Sequence, residues 1–427
     1  MTDCEYDYQR ETSSKTTRRN LLKGAAALAA TAPAAAWAEM GQQNSATSVQ
    51  RPILAYVGTY SSPQGPEGAQ GRGQGIYLME MNPATGVLRQ LEVFPNNANP
   101  ACLAFDPSRT HLYSANEVSG FQGTTFGSVS AYAIDRATGR LTLLNAVSSE
   151  GAGGPAHLSV HPSGKFVLAA NYKGGTVAVL PIRSHGELGP ATDVIENKGT
   201  VGPDHGTNAP KGSFAISGHD HPHAHMIQSD PAGRFVFSPD LGLDRIFIWK
   251  FDADRGKLTP NDPAFVALPP GDGPRHFTFH PNGRWFYSIQ EEASTLVTYD
   301  YDSNHGRLTP KQTISTLPKD FVGTNYTSSL MTSTDGRVLY AANRLHDSIA
   351  WLTIDPNDGT LTLTGEEWTR GDYPRTFNID PTGNYLYSCN QRADNITAFR
   401  VNRRTGALTF TGQYAPVGTA AMIVFLT

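Results

Sequence analysis

The residues best equipped for chemistry in this chain of 427 are arginines and histidines set among isolated glutamates. Arg275, Arg344, Arg375 and Arg392 lie in its C-terminal half, with Glu291 between the first two and Glu117 far upstream. A guanidinium offers paired, coplanar donors to carboxylate or phosphate oxygens, so gathered arginines imply an anionic ligand. A glutamate among them can accept a proton. The run Asp220-His221-Pro222-His223-Ala224-His225 adds two candidate proton carriers near neutral pH, His223 and His225. With His219, four histidines alternate over seven residues, which also suggests a metal site. A proline inside the run, and the lack of cysteines or helical spacing around it, speak against zinc, so no metal is expected. No Gly-x-Ser-x-Gly elbow supports a serine nucleophile. Gly71-Arg72-Gly73-Gln74-Gly75 lacks the strand–helix setting of a phosphate loop. The competing assignment for the arginines is architectural, as partners of Glu117, Glu291, Asp240 and Asp244 that staple neighbouring units.

Positioning these groups falls to a chain rich in turns. Gly 42 and Pro 29 together make about a sixth of it, above the usual share. Charged residues are only 17%, so few helices with charged faces are expected and an all-β protein is favoured. Hydrophobic residues at 39% allow a large core and exclude wholesale disorder. A net charge of −4 gives no basic footprint for nucleic acid. Three cysteines cannot build a disulfide framework.

The order comes from repeats. A turn of the form Asx-x-x-x-Gly-x-Leu occurs at Asn82–Leu88, Asp135–Leu141, Asp252–Leu258, Asp302–Leu308, Asp355–Leu361 and Asn402–Leu408, with a looser copy at Ile182–Leu188. Its glycines are spaced by 53, 47, 70, 50, 53 and 47 residues. A second turn, most often Pro-x-Gly, interleaves from Pro107, Pro162, Pro231, Pro281 and Pro381, with Thr334-Asp335-Gly336 as a variant. Short runs rich in β-branched and aromatic residues lie between, such as Trp285–Ile289 and Thr295–Tyr301. Four strands per period of about 50 residues read as a propeller blade. The first unit lacks its innermost strand, and Ala421–Leu426 ends the chain as a strand without a partner. Pairing the C-terminal strand with the N-terminal blade closes one seven-bladed β-propeller over residues 53–427, with four antiparallel strands per blade and the blade edges hidden. Cys102 and Cys389 then fall in non-adjacent blades, which excludes a bridge between them.

Aligning the blades separates scaffold from site. Asn116, Asn171, Asp240, Gln290, Asn343 and Asn390 recur at one position and are read as turn-stabilising side chains. The next residue does not repeat: Glu117, Tyr172, Leu241, Glu291, Arg344 and Gln391. Neither does a position six residues before each turn, occupied by Ala101, Ala156, His225, Arg275, Ser328 and Arg375. Both series belong to loops at one end of the ring, which makes their charged members candidates for a single central site. The 70-residue spacing leaves a long segment from about Pro190 to His221, expected to lie over the channel mouth.

Residues 1–38 read as an export signal, followed by a linker over 39–52. Arg18-Arg19 precedes an apolar, alanine-rich stretch from Gly24 to Ala36, and Ala36-Trp37-Ala38 is a small-x-small cleavage site. The paired arginines resemble a twin-arginine signal, so the expected partner during export is the twin-arginine translocase. The apolar run is too short for a stable membrane anchor. The mature chain is expected in the periplasm or outside the cell.

Tyr56-Val57-Gly58-Thr59-Tyr60, Gly154-Pro155-Ala156-His157, Pro222-His223-Ala224-His225, Pro239–Ile246 and Gly273-Pro274-Arg275-His276 through Pro281 resemble the lactonase family of seven-bladed propellers. That family includes cycloisomerase-type 6-phosphogluconolactonases and a fungal carboxy-muconate lactonizing enzyme. The resemblance implies a site of a histidine, two arginines and a glutamate at the channel mouth. It assigns the histidine to His223 or His225, the arginines to Arg275 and Arg344, and the glutamate to Glu291. Arg375, Arg392, Glu117 and His157 join as expected substrate-binding residues. Two departures are Gln290-Glu291-Glu292, which adds a charge, and Ser328-Ser329, where many relatives carry an acid. The expected activity is hydrolysis of an anionic sugar or organic-acid lactone without a metal or redox cofactor. A cycloisomerase using the same groups, or a non-catalytic binding propeller, are the alternatives. Replacing Arg275 or Glu291 is expected to abolish turnover with little change in stability.

Overall fold

The computed structural model describes residues 52–65, 70–214 and 218–427. The expected export signal and nearly all of the 39–52 linker lie outside them. The strands form seven four-stranded antiparallel sheets. The first is built from Ala420–Leu426 (β28), Ile53–Thr59 (β1), Gly75–Met81 (β2) and Leu88–Pro95 (β3), in that order from the inside out. β28 pairs antiparallel with β1 from Leu54↔Leu426 to Thr59↔Ala420, so the two ends of the chain close the ring as expected. Each remaining blade takes four consecutive strands. Their inner strands are Pro100–Phe105 (β4), Pro155–Val160 (β8), Gln228–Ser229 (β12), Pro274–Phe279 (β16), Thr327–Thr332 (β20) and Pro374–Ile379 (β24). Among the described residues there is no α-helix, only a 3-10 turn at Phe121–Gly123.

Among the described residues, seven large apolar clusters lie one between each pair of adjacent blades, and a small eighth joins Tyr60, Ala101 and Ala421. Second strands such as Trp285–Gln290 (β17) and Tyr385–Asn390 (β25) are therefore buried along their whole length. Outer strands such as Leu361–Trp368 (β23) alternate largely half-buried and exposed, because only one of their faces meets a neighbour. The recurring glycine turn does more than reverse the chain. Gly86 donates its amide to the Asn82 carbonyl at 2.7 Å with φ of 74°, a conformation suited to glycine. Its own carbonyl accepts the hydroxyl of Tyr387 from the preceding blade at 2.7 Å. Tyr56→Gly139, Tyr113→Gly186, Tyr287→Gly359 and Tyr340→Gly406 repeat this blade-to-blade bond at 2.7–3.0 Å. A buried phenol without such a partner would be costly, so these bonds fix how each blade meets the next. In the second turn series the first copy ends in Arg109 rather than glycine, at φ of 58°.

The feature that matters most for a site is a β-bulge at one place in the inner strands. In β16, Pro274 pairs with Gln290 but His276 pairs with Ile289, which leaves Arg275 as the extra residue. The same shift singles out Ala101, Ala156 and Arg375, lies between Thr327 and Leu330, and in the closing strand picks out Ala421. In the fourth blade the Ala224↔Asp240 bridge and the Gln228↔Phe237 pair are offset by one residue across His225. A bulge re-aims the side chain it carries. The position aligned from turn spacing is the bulge, and Ala421 is its seventh member.

Candidate active site

Six of the seven bulge residues, all but Ser328, line one narrow cavity on the channel axis, together with Tyr60, His157 and His276. Three blades offer alanines there, Ala421, Ala101 and Ala156, and the others offer His225, Arg275 and Arg375. Just above, a cavity of about 90 Å³ is lined by Glu117, Tyr172, Lys173, His225, Glu291, Arg344 and Arg375. Glu117, Tyr172, Glu291 and Arg344 each directly follow a second strand. In three of them the backbone continues the sheet beyond the strand's end: Glu117 N to Asn99 O at 3.0 Å, Glu291 N to Gly273 O at 2.7 Å and Arg344 N to Tyr326 O at 2.7 Å. The recurring residue before them is structural: Asn343 donates to Thr316 O and Ser348 Oγ, and Asn390 to Thr369 O and Thr397 Oγ1.

Glu291 is clamped by two arginines. Arg275 Nε lies 2.8 Å from Oε2 and Arg344 Nη2 lies 2.6 Å from Oε1, and all three side chains are buried. Arg275 also donates to the Ser328 carbonyl, and the Ser328 hydroxyl donates to Pro374 O at 2.7 Å. Ser328 thus holds an arginine through its backbone carbonyl. Arg344 donates to Tyr373 OH and Thr327 O, both at 3.2 Å. Burial, and next the charge of Arg344, bring the Arg275 guanidinium down to about 10. Across the channel, Arg375 reaches Glu117 at 3.4 Å, while Tyr60 OH donates to the same Glu117 oxygen at 2.6 Å. The expected pairing of arginines with Glu117 and Glu291 is therefore met, but only Arg344–Glu291 joins neighbouring blades. The pairing fails for Asp240 and Asp244, which instead accept backbone amides of His223 and Leu243, and of Gly271 and Gly273.

Three histidines surround Arg275. His225 meets His276 edge-on at 5.1 Å, and His157 meets His276 at 5.6 Å. Burial, then the charge of Arg275, hold His157 down at about 3 and keep His225 and His276 well below the ordinary histidine value. All three are neutral imidazoles at neutral pH. His225 borders both cavities, and its Nδ1 is buried without a hydrogen-bond partner.

Two expected residues stand apart from this group. His223 directs Nε2 to Asp220 at 2.7 Å and Nδ1 to the Tyr172 carbonyl at 3.1 Å, so it faces the loop and not the arginines. Arg392 is exposed and lies with its guanidinium 3.7 Å over the Tyr373 ring. Residues that the sequence reading passed over include Tyr60, Tyr172, Lys173 and His276. Tyr60 directly follows β1 and is the first-blade member of the series that holds Glu117 and Glu291. The long insertion is strapped across three blades by Asn197 to Asp240 at 2.8 Å, Asn208 to Asp272 at 2.9 Å and Gly323 N to Lys211 O at 2.9 Å.

A closed seven-bladed ring with this constellation defines a class, and residues 54–425 match the family described as "Lactonase, 7-bladed beta-propeller". The chain belongs to that family. It is 32% identical over 329 residues to the 6-phosphogluconolactonase of Bacillus subtilis, an alignment that covers 77% of this chain and 85% of the relative. A 6-phosphogluconolactonase of Formosa agariphila is 29% identical over 73% of this chain and 83% of its own. Among solved structures, the periplasmic gluconolactonase PpgL of Pseudomonas aeruginosa superposes with a TM-score of 0.79 at 29% identity, covering 88% of this chain and 99% of that one. These relatives support a lactone-hydrolysing enzyme.

Proposed function

We propose that the chain hydrolyses a lactone bearing an acid group, at the charged mouth of the channel. The observation that carries this reading is the pair of buried arginines closed on Glu291 beside the neutral His225, whose Nδ1 has no hydrogen-bond partner. The upper cavity sets three cations, Lys173, Arg344 and Arg375, against two carboxylates, Glu117 and Glu291, so an anionic substrate suits it. In this mechanism the substrate's acid group rests on Lys173 and Arg375. Its lactone carbonyl points at the guanidinium groups of Arg344 and Arg275. His225 takes a proton from water as the oxygen attacks the carbonyl carbon, and the arginines meet the charge that develops on the carbonyl oxygen. The ring C–O bond then breaks, and His225 returns the proton to the departing alkoxide. Glu291 keeps both guanidinium planes in place, a positioning role to which both of its oxygens are already committed.

A panel of sugar lactones with and without an acid group, followed by acid release, tests this reading. Acid-bearing lactones are expected to turn over fastest, with Arg344→Lys at least about 100-fold slower. Tight binding without acid release from any lactone would overturn it. Export from the cytoplasm is part of the same proposal, supported by the Arg18-Arg19 segment and by similarity to the periplasmic gluconolactonase of Pseudomonas aeruginosa. Replacing both arginines by lysine should retain the chain in the cytoplasm on fractionation.

A further inference from the structure

Asp220, His221 and His223 bring three ligand atoms within 4.8 Å of one another at the edge of the insertion. His223 Nε2 lies 2.7 Å from Asp220 Oδ1, and His221 Nδ1 lies 3.0 Å from Asp220 Oδ2. The opposite nitrogen of each ring is also committed. His223 Nδ1 faces the Tyr172 carbonyl at 3.1 Å, and His221 Nε2 faces the next carbonyl, Lys173 O, at 2.9 Å.

Every one of these four nitrogens therefore faces an oxygen that can only accept. A neutral imidazole has one N–H, so two neutral rings supply two protons for four acceptors. Each ring would then set a nitrogen lone pair against an oxygen lone pair. Protonating both rings would place two cations with centroids 4.0 Å apart beside one carboxylate. A divalent cation between Asp220 and the two inner nitrogens removes the conflict. The outer N–H groups then bond the two backbone carbonyls, and the inner lone pairs and the carboxylate all become ligands. A ligating imidazole whose other nitrogen donates to a carbonyl is the usual outer-shell arrangement of histidine metal sites.

We propose that Asp220, His221 and His223 form a binding site for a zinc-like transition-metal dication. Two imidazoles and one carboxylate favour such an ion over calcium or magnesium, which prefer all-oxygen shells. Tetrahedral coordination at about 2.0 Å needs donors roughly 3.3 Å apart, and the exposed Asp220 side chain can open to that spacing. His223 is the fixed ligand, since its ring is buried and stacked on Tyr172 at 4.2 Å. Gly218 leaves room beside it, because a Cβ there would stand 3.1 Å from His223 Nε2. Tyr172 also meets His225 at 5.3 Å, so the ion pins the segment that carries His225 into the channel. The alternating histidines are thus divided by the fold: His219 goes to Asp244, His221 and His223 to the metal, and His225 to the channel.

The test is titration of the tag-free, chelator-stripped full chain with zinc, with absorption-edge spectroscopy on the loaded protein. One zinc per chain is expected, with a scattering shell of two imidazoles. Asp220→Asn and His221→Ala, both at exposed or half-exposed positions, should each weaken binding at least about tenfold without loss of the β-sheet spectrum. Absence of stoichiometric zinc binding would overturn the proposal, as would native affinity in either variant or a shell without two imidazoles.

Discussion

The channel has two mouths built from the same inner strands, and they differ in charge far more than in size suggests. The mouth opposite the arginines encloses about 630 Å³, lined by neutral side chains such as Ser159, Gln228, Thr278 and Asn378. Its carboxylate, Asp230, is committed to the amides of Arg234 and Phe235 and to Tyr301 OH. The charged mouth has a cavity of only about 90 Å³, yet it holds two glutamates, Lys173, two arginines and His225. The cause is local. At the charged mouth the bulges turn the side chain of one extra residue per blade into the channel, whereas the regular ladder beyond them keeps strict alternation. Volume marks where strands diverge; the bulge marks where chemistry can be concentrated.

The sharpest way to break this contrast is at the clamp. Glu291→Gln keeps the shape and removes the charge that holds Arg275 and Arg344. Turnover is expected to fall at least about 100-fold, read by acid release. The buried pairing also corrects the expectation of unchanged stability. Leaving two buried guanidinium groups without their counter-charge should cost about 3–5 kcal/mol, measured by urea unfolding. Arg375→Lys should be milder. Glu117, Tyr60 and Gln391 all remain to hold a cation there, so the expected change is about tenfold, mainly in KM.

The neutral histidines separate the mouths by pH. His157, His225 and His276 are all held below the ordinary value of 6.5 when folded, so the unfolded chain binds protons that the folded chain refuses. Their contribution to stability is present above about pH 6.5 and is lost as pH falls from there toward about 3, the folded value of His157. His157 alone should contribute a slope of about 1.4 kcal/mol per pH unit in that window. His157→Gln should flatten the measured slope by that amount. A substrate anion resting on the arginines would offset part of the repulsion on His225. The acid limb of kcat should therefore lie at higher pH than that of kcat/KM.

Much of this was legible before any coordinates, and the reasons differ by residue. Ring closure followed from counting, because Ile53–Tyr60 and Ala421–Leu426 each lacked a partner that only the other could supply. Arg275 and Arg375 were visible because they break a series in which Ala101 and Ala156 stand. Tyr60 was not, since the first blade has no preceding turn from which to count. His223 and His225 could not be told apart, because strict alternation puts both on one face. A bulge adds one residue without any glycine or proline to announce it, and that shift alone sends His225 to the channel and leaves His223 at the loop. Arg392 was over-read for the opposite reason: it is one residue beyond Gln391, which holds the position facing Arg375.

The smallest expected effect gives the cleanest control, because it uses one strand. Arg275 and Thr278 are both on β16, three residues apart, and border cavities at opposite ends of the same channel. Arg275→Lys keeps a cation but loses the planar fork that spans Glu291 and the Ser328 carbonyl. Thr278→Val keeps shape and removes a hydroxyl whose contact, Phe279 O, is a long 3.4 Å. If the bulge is what makes the site, the first change should slow acid release by at least about tenfold. The second should leave kcat/KM within about twofold and stability within about 0.5 kcal/mol. Equal losses from both would mean that substrate occupies the wide mouth, and that the charged cluster serves only to hold the blades together.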